Sequence, residues 1–275
     1  MRFIKAIASL PKYVLFTIVA VVSLVPLGFM IITSLKSSSE YVINPVGLPR
    51  DWTVQNYAHA LFDLPTLQWA FNSFTITLSA VLISTSIGAL AAFAISFGQF
   101  HGRELLIGVN IGLIMVPPVV LLIPMFVTMV NLNLINNLAS VIIFYSCLMT
   151  PFSVFFFVNF FRSVHRDILE AATIDGAGPV RALRSIVLPL SLPAAVTLCV
   201  VNAVWAWNEL LIALVFLQSE TQRTLMAGLT LLQGRFVSDQ PVVLAVAVLS
   251  IIPIALFYLL SQRTFVEGIT AGIGK

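Results

Sequence analysis

Two constellations in this 275-residue sequence combine residue types and spacings that could do chemistry, and neither has the makeup of an active site. The first is EAATIDGAGPVRALRSIVLP, from Glu170 to Pro189, a charged stretch set between long apolar runs. From Asp167 to Ile174, small and apolar residues alternate with Asp167 and Glu170 at helical spacing. Ala171 and Ala172 are strong helix formers that leave a flat face for close approach by another subunit. Asp175, Gly176 and Ala177 follow, and Gly176 can take the positive φ of a C-terminal cap. Pro179 suits the first position of a second helix, while Leu188-Pro189 and Pro193 close it. The expected product is a helix-turn-helix on the membrane surface, rigid enough to carry force. An amphipathic interfacial connector is the simpler alternative.

The second constellation is Asn202, Trp205, Asn208 and Glu209. At 100° per residue these fall in one stripe about 120° wide, with Trp207 pointing the other way. Two amides, a carboxylate and an indole could line a path for a sugar, whose hydroxyls need acceptors and whose C–H faces pack on aromatic rings. Glu209 is the only acidic residue within an apolar run, which makes it a functional candidate by default. It also lies near the outer end of its run, where a carboxylate could equally pair with a neighbouring subunit.

Other chemistries find no support. Cys147 and Cys199 are lone thiols inside apolar runs, without a disulfide framework. His59, His101 and His165 are scattered, away from paired carboxylates or cysteines, so no metal site is expected. H-E-x-x-H and similar catalytic clusters are missing, and the sole Gly-Lys, Gly274-Lys275, is not a P-loop. No enzyme active site is expected from these residues.

The elements that must position these residues are membrane spans. Hydrophobic residues make up 59% of the sequence, charged residues 9%, and mean hydropathy is +1.04. A soluble chain carries about 25% charged residues, so this one could not cover a water-facing surface. Six segments reach the length of about 20 residues that a span requires: Val14–Leu35, Phe71–Ser96, Leu105–Val130, Leu138–Phe160, Leu192–Leu217 and Val242–Leu260. The first follows Arg2, Lys5 and Lys12 but is too long for a signal peptide and lacks a cleavage pattern. With both termini in the cytoplasm, ten Lys and Arg lie inside and four (Lys36, Arg50, Arg223, Arg235) outside, as the positive-inside rule favours. The Glu170 segment is then cytoplasmic. Two outer segments are long: Lys36–Leu64, with interfacial Trp52 and Tyr57, and Gln218–Gln240, which reads as polar and flexible enough to reach into a partner.

The spacing of Glu170-Ala171-Ala172, Asp175-Gly176-Ala177 and Ile186-x-Leu188-Pro189 closely resembles the EAA loop of inner-membrane permease subunits of binding-protein-dependent ABC importers. The similarity extends over nearly the whole chain and points to the carbohydrate-uptake, maltose-permease-like branch. It rests on Asn72-Ser73, on Met115-Val116-Pro117-Pro118 through Ile123-Pro124, on Trp207-Asn208-Glu209, and on Gln262-Arg263 with Val266-Glu267-Gly268-Ile269-Thr270. Departures fall at His165, Leu183 and the Gly272-Ile273-Gly274-Lys275 terminus. The resemblance implies an all-α membrane protein of six transmembrane helices with the type I ABC importer permease fold. It implies an N-terminal helix and outer loop over 1–66, a permease core over 67–263 with the coupling loop at 161–191, and a cytoplasmic tail over 264–275. Glu170, Ala171, Ala172, Asp175, Gly176, Ala177, Leu188 and Pro189 would couple to an ATPase, Glu170 through an ion pair. Gln233, Gly234 and Arg235 would meet an extracytoplasmic binding protein. The implied partners are a second related permease, a pair of ATPase subunits, the binding protein, a sugar-like solute and the lipid bilayer of a bacterial or archaeal cytoplasmic membrane; nucleic acid is not among them. No cofactor is expected on this chain, with ATP and Mg held by the ATPase. A stand-alone secondary transporter is the rival, but it predicts inverted repeats and several intramembrane carboxylates.

Overall fold

The computed structural model describes residues 2–235 and 239–273, and among these every regular element is helical. Four helical stretches are long and apolar enough to cross a bilayer unbroken: Lys12–Ser34, Thr66–Phe97, Leu138–Phe161 and Gln240–Gln262. Two further spans are bent pairs, Arg103–Ile114 with Pro118–Asn131 at 94°, and Pro179–Leu190 with Leu192–Asn208 at 74°. Counting each pair once gives six spans. The chain divides into two compact units, Met1–Leu67 with Gly228–Ile252, and Gln68–Ala227 with Pro253–Lys275.

In the first unit, α1 (Arg2–Ser34) exposes apolar side chains on all sides of its span, the pattern of a helix whose solvent is lipid. The outer segment that follows is an ordered cap. Its short helices α2 (Ser38–Ile43) and α3 (Gln55–Ala58) hang on polar tethers. Asn56 Nδ2 donates to the carbonyls of Ser34 and Lys36 at 2.8 and 2.7 Å. Lys36 is fully buried, its ammonium donating to the carbonyls of Asn44 at 2.8 Å and Pro45 at 3.3 Å. The Ser38 hydroxyl hydrogen-bonds Asp239.

The second unit contains most of α4 (Thr66–Phe97), then α5 (Arg103–Ile114), α6 (Pro118–Asn131) and α7 (Leu138–Phe161). The expected single span Leu105–Val130 is therefore two helices. Pro117 adopts extended backbone (ψ 131°) and Pro118 opens α6, so the Pro-Pro pair breaks the hydrogen-bond ladder. On the cytoplasmic side lie α8 (Arg166–Ile174), α9 (Pro179–Ala182), a π turn over Leu183–Val187, and α10 (Leu188–Leu190).

The expected fifth span Leu192–Leu217 also ends early. Its helix α11 (Leu192–Asn208) stops where Glu209 turns extended (ψ 126°), and a short α12 (Leu211–Phe216) follows. The outer segment after it, expected to be flexible, forms α13 (Leu225–Arg235), because Leu225, Leu229 and Leu232 recur at helical spacing and are buried. Finally, α14 (Gln240–Ile273) runs on past Leu260.

Two apolar clusters hold the second unit. One gathers Ile76, Phe144, Tyr145, Ile212 and Phe216; the other gathers Ala92, Phe157, Phe161, Leu183, Val187 and Leu198. Gly88 lets α4 approach α7 closely: a Cβ there would sit 2.6 Å from Ser153 Cβ and 3.0 Å from its carbonyl carbon.

Candidate coupling loop and solute path

The cytoplasmic turn is built as its residue types dictate. Asp175 caps α8, and Gly176 takes φ +79°, the left-handed conformation that costs an L side chain about 1–2 kcal/mol. Ala177 N–H reaches the Ala172 carbonyl at 2.9 Å and Gly176 N–H the Thr173 carbonyl at 3.0 Å. That pair of bonds is the Schellman arrangement, which satisfies carbonyls that a helix end would otherwise leave open. Gly178 then precedes Pro179 at the start of α9, and Ala182 N–H closes back on the Gly178 carbonyl at 2.9 Å.

This helix-turn-helix has two unlike faces. Leu169 and Leu188 are partly buried against the cluster that contains Leu183 and Val187, and Ala172 and Ala182 are buried. Glu170, Ala171, Asp175, Gly176 and Pro189 are exposed, and Ala177 is half-buried. Ile174 and Val180 also stand in the open, 86% and 79% exposed, on a stretch flanked by charge. Ala172 and Leu188 thus pack toward the chain's own helices, while Ala171 is exposed. Beside Glu170 opens a cavity of about 730 Å³ between residues 93–99, at and just past the end of α4, and residues 169–182.

The second constellation separates on folding. Asn202 and Trp205 line one cavity of about 300 Å³ with Leu113, Ile114, Met149 and Phe152. Asn202 is buried at 4% exposure and donates to Ser153 Oγ at 3.2 Å, while Trp205 keeps 37% of its surface open. Asn208 faces outward and donates back to the Val204 carbonyl at 2.7 Å. Glu209 lies past the helix end, outside the cavity lining. Its carboxyl oxygens accept the N–H of Ile212 at 3.0 Å and of Ala213 at 3.3 Å, and the Tyr145 hydroxyl donates to it at 2.5 Å. Trp207, opposite the stripe, is buried.

Sequence reasoning missed Tyr145, and nothing local marks it. It also left Asn72-Ser73 without a role. Trp69 Nε1 donates to the Glu220 carbonyl at 2.7 Å, Asn72 Nδ2 to the carbonyls of Thr221 and Arg223 at 2.8 and 2.9 Å, and Ser73 Oγ accepts Leu225 N–H at 2.8 Å. Together they fix the start of α13 to the outer end of α4. Gln233 and Gly234 are exposed near the far end of α13, and Arg235 is its last residue. The expected terminal Gly274-Lys275 lies outside the described residues.

Six apolar spans with a half-anchored cytoplasmic turn define a polytopic membrane protein. Residues 84–270 match the family described as "Binding-protein-dependent transport system inner membrane component". The chain belongs to that family and is the membrane permease subunit of an ABC importer, embedded as a multi-pass protein and not an enzyme. It is 35% identical over 262 residues to the sulfoquinovosyl glycerol transport system permease protein SmoH of Agrobacterium fabrum, covering 95% of this chain and 92% of the relative. It is 33% identical to the trehalose/maltose transport system permease protein MalG of Thermococcus litoralis, with 94% of both chains covered. Among solved structures, a chain of a bacterial ABC transporter that imports the acidic polysaccharide alginate superposes with a TM-score of 0.80 at 25% identity, over 94% of this chain and 97% of that one.

Proposed function

We propose that this permease forms half of the translocation pathway for a carbohydrate or sugar-like solute, delivered by an extracytoplasmic binding protein and driven by ATP on a partner ATPase. The carrying observation is the two-faced cytoplasmic turn. One side is fixed in the bundle through Leu169, Ala172, Leu183 and Val187, and the other offers Glu170, Ala171, Ile174 and Val180 to water. Exposed aliphatic side chains around a carboxylate on a rigid support suit docking to another protein. In this reading Glu170 pairs with a basic residue of the ATPase, while Asp175, Gly176, Ala177 and Pro189 shape the contact. The ATP and Mg belong to that partner subunit.

The solute class is supported by the relatives, several of which are named for sugars. The cavity at Asn202 and Trp205 pairs one amide with one open indole face, a lining suited to an amphipathic ring. Gln233, Gly234 and Arg235 at the outer end of α13 are the proposed contact for the binding protein, and a second, related permease completes the pathway. The membrane is the cytoplasmic membrane of a bacterium or archaeon.

The test is co-purification of the tagged chain from its native membrane in mild detergent, with mass spectrometry of its companions, then a sugar screen of the accompanying binding protein. Recovery of an ATPase and a sister permease is expected. A stable, monodisperse chain recovered alone would overturn the reading.

A further inference from the structure

Glu209 and Tyr145 form a buried connection that neither the coupling loop nor the cavity lining accounts for. Tyr145 is completely buried on α7, and its hydroxyl donates to Glu209 Oε2 at 2.5 Å. A buried phenol requires such a partner. The same carboxyl group also accepts the N–H groups of Ile212 and Ala213, which fixes it to the first turn of α12. The Tyr145 ring in turn meets Trp205 edge to face, with centroids 5.3 Å apart and an interplanar angle of 71°. Trp205 lines the cavity of about 300 Å³ together with Phe152 and Asn202. The contacts therefore run in series from α12 through Glu209 and Tyr145 to the indole.

We infer that Glu209 and Tyr145 are positioning residues that hold the Trp205 indole at the cavity wall, so that Glu209 influences the solute through Tyr145 and not by touching it. The inference rests on the cavity being the solute path. The Trp205 indole keeps over a third of its surface open, and the buried Tyr145 ring lies against it. The edge of the fully buried Tyr145 supplies a firm backing only if the ring keeps its place, and the bond to Glu209 anchors its hydroxyl end. This also explains why an acidic residue stands beside an apolar helix without facing the cavity: its acceptors are used by one phenol and two backbone donors.

The experiment uses the whole importer carrying 5-fluorotryptophan, with the Trp205 fluorine resonance assigned by its loss in W205F. Water is the probe, through the shift of that resonance between H₂O and D₂O. In Y145F and in E209D, which withdraws the carboxyl from the phenol, the resonance should move and its solvent isotope shift should rise. E209Q keeps an acceptor for the phenol and should stay near wild type. An unmoved resonance in both Y145F and E209D overturns the inference, and so does movement in E209D alone, which would trace the effect to the cap of α12. Should Y145F fail to assemble, Y145M takes its place, and an unmoved Trp205 resonance there is the refuting result. The path reading is judged separately: W205A with an unchanged KM for the sugar found in the binding-protein screen would end it, while leaving the resonance result to stand.

Discussion

Substitution of Gly176 isolates one physical term of the proposed coupling. The residue sits at φ +79°, and a Cβ built there meets no atom within 4 Å. Replacing it thus adds no clash, and the whole cost is the left-handed backbone, about 1 kcal/mol for Ala and up to about 2 kcal/mol for a β-branched residue. Asn tolerates this region and should cost about half as much as Ala. The loop can relieve the strain by unwinding the last turn of α8, which surrenders the bonds from Ala177 to Ala172 and from Gly176 to Thr173. If the docked state requires the intact turn, affinity for the ATPase falls by the strain energy, about fivefold for Ala and about thirtyfold for Val. The assay is the amount of ATPase retained per permease during detergent washes, with ATP-driven uptake measured in parallel. The expected order is Gly, Asn, Ala, Val. Equal retention for Gly and Val, or Asn falling below Val, would refute the claim that the turn's backbone geometry carries the contact.

Three further perturbations test the supports of the fold. Asn72→Leu strips two carbonyls, those of Thr221 and Arg223, of their donor; it should cost about 1–3 kcal/mol and weaken stimulation by loaded binding protein more than docking of the ATPase, which a titration with binding protein would read. Lys36→Met removes a fully buried ammonium from the carbonyls of Asn44 and Pro45; the outer cap should loosen, seen as faster limited proteolysis around residues 44–50 in right-side-out vesicles. Gly88→Ala forces a methyl to within 2.6 Å of Ser153 Cβ and 3.0 Å of its backbone carbon; overpacking by one such atom costs about 1–3 kcal/mol and should lower the thermal midpoint of the detergent-solubilised protein, with Gly88→Ser falling likewise.

Much of the fold is legible in the sequence because the signals are local. The length of the apolar runs gives the spans, and glycine and proline write the cytoplasmic turn: Gly176 can accept positive φ, and Pro179 can open a helix. Where several signals compete, reading becomes harder. Pro117-Pro118 announces a break, yet the surrounding apolar composition is that of one continuous span, and only the folded chain has the 94° bend. The outer segment after Arg223 carries polar residues that suggest a flexible reach. Its three buried leucines at helical spacing override them, and Asn72 and Ser73, about 150 positions earlier, pin its start.

Glu209 marks the limit of such reading. A period of 3.6 places it on the Asn202 and Trp205 face, and that geometry holds only while the helix continues. The helix stops there without glycine or proline, because the carboxyl group accepts the N–H groups of Ile212 and Ala213 and the phenol of Tyr145, 64 positions away. Tyr145 comes within reach only once α7 and α11 are packed. Asn72, Lys36 and Glu209 share this logic: each has a polar group satisfied by backbone or side chains that the sequence places far off or out of period. An intramembrane polar residue must find a partner, which makes it a candidate from sequence alone. Which partner it finds decides whether it meets the solute or orients the residue that does, and for Glu209 the bond to Tyr145 favours the second role.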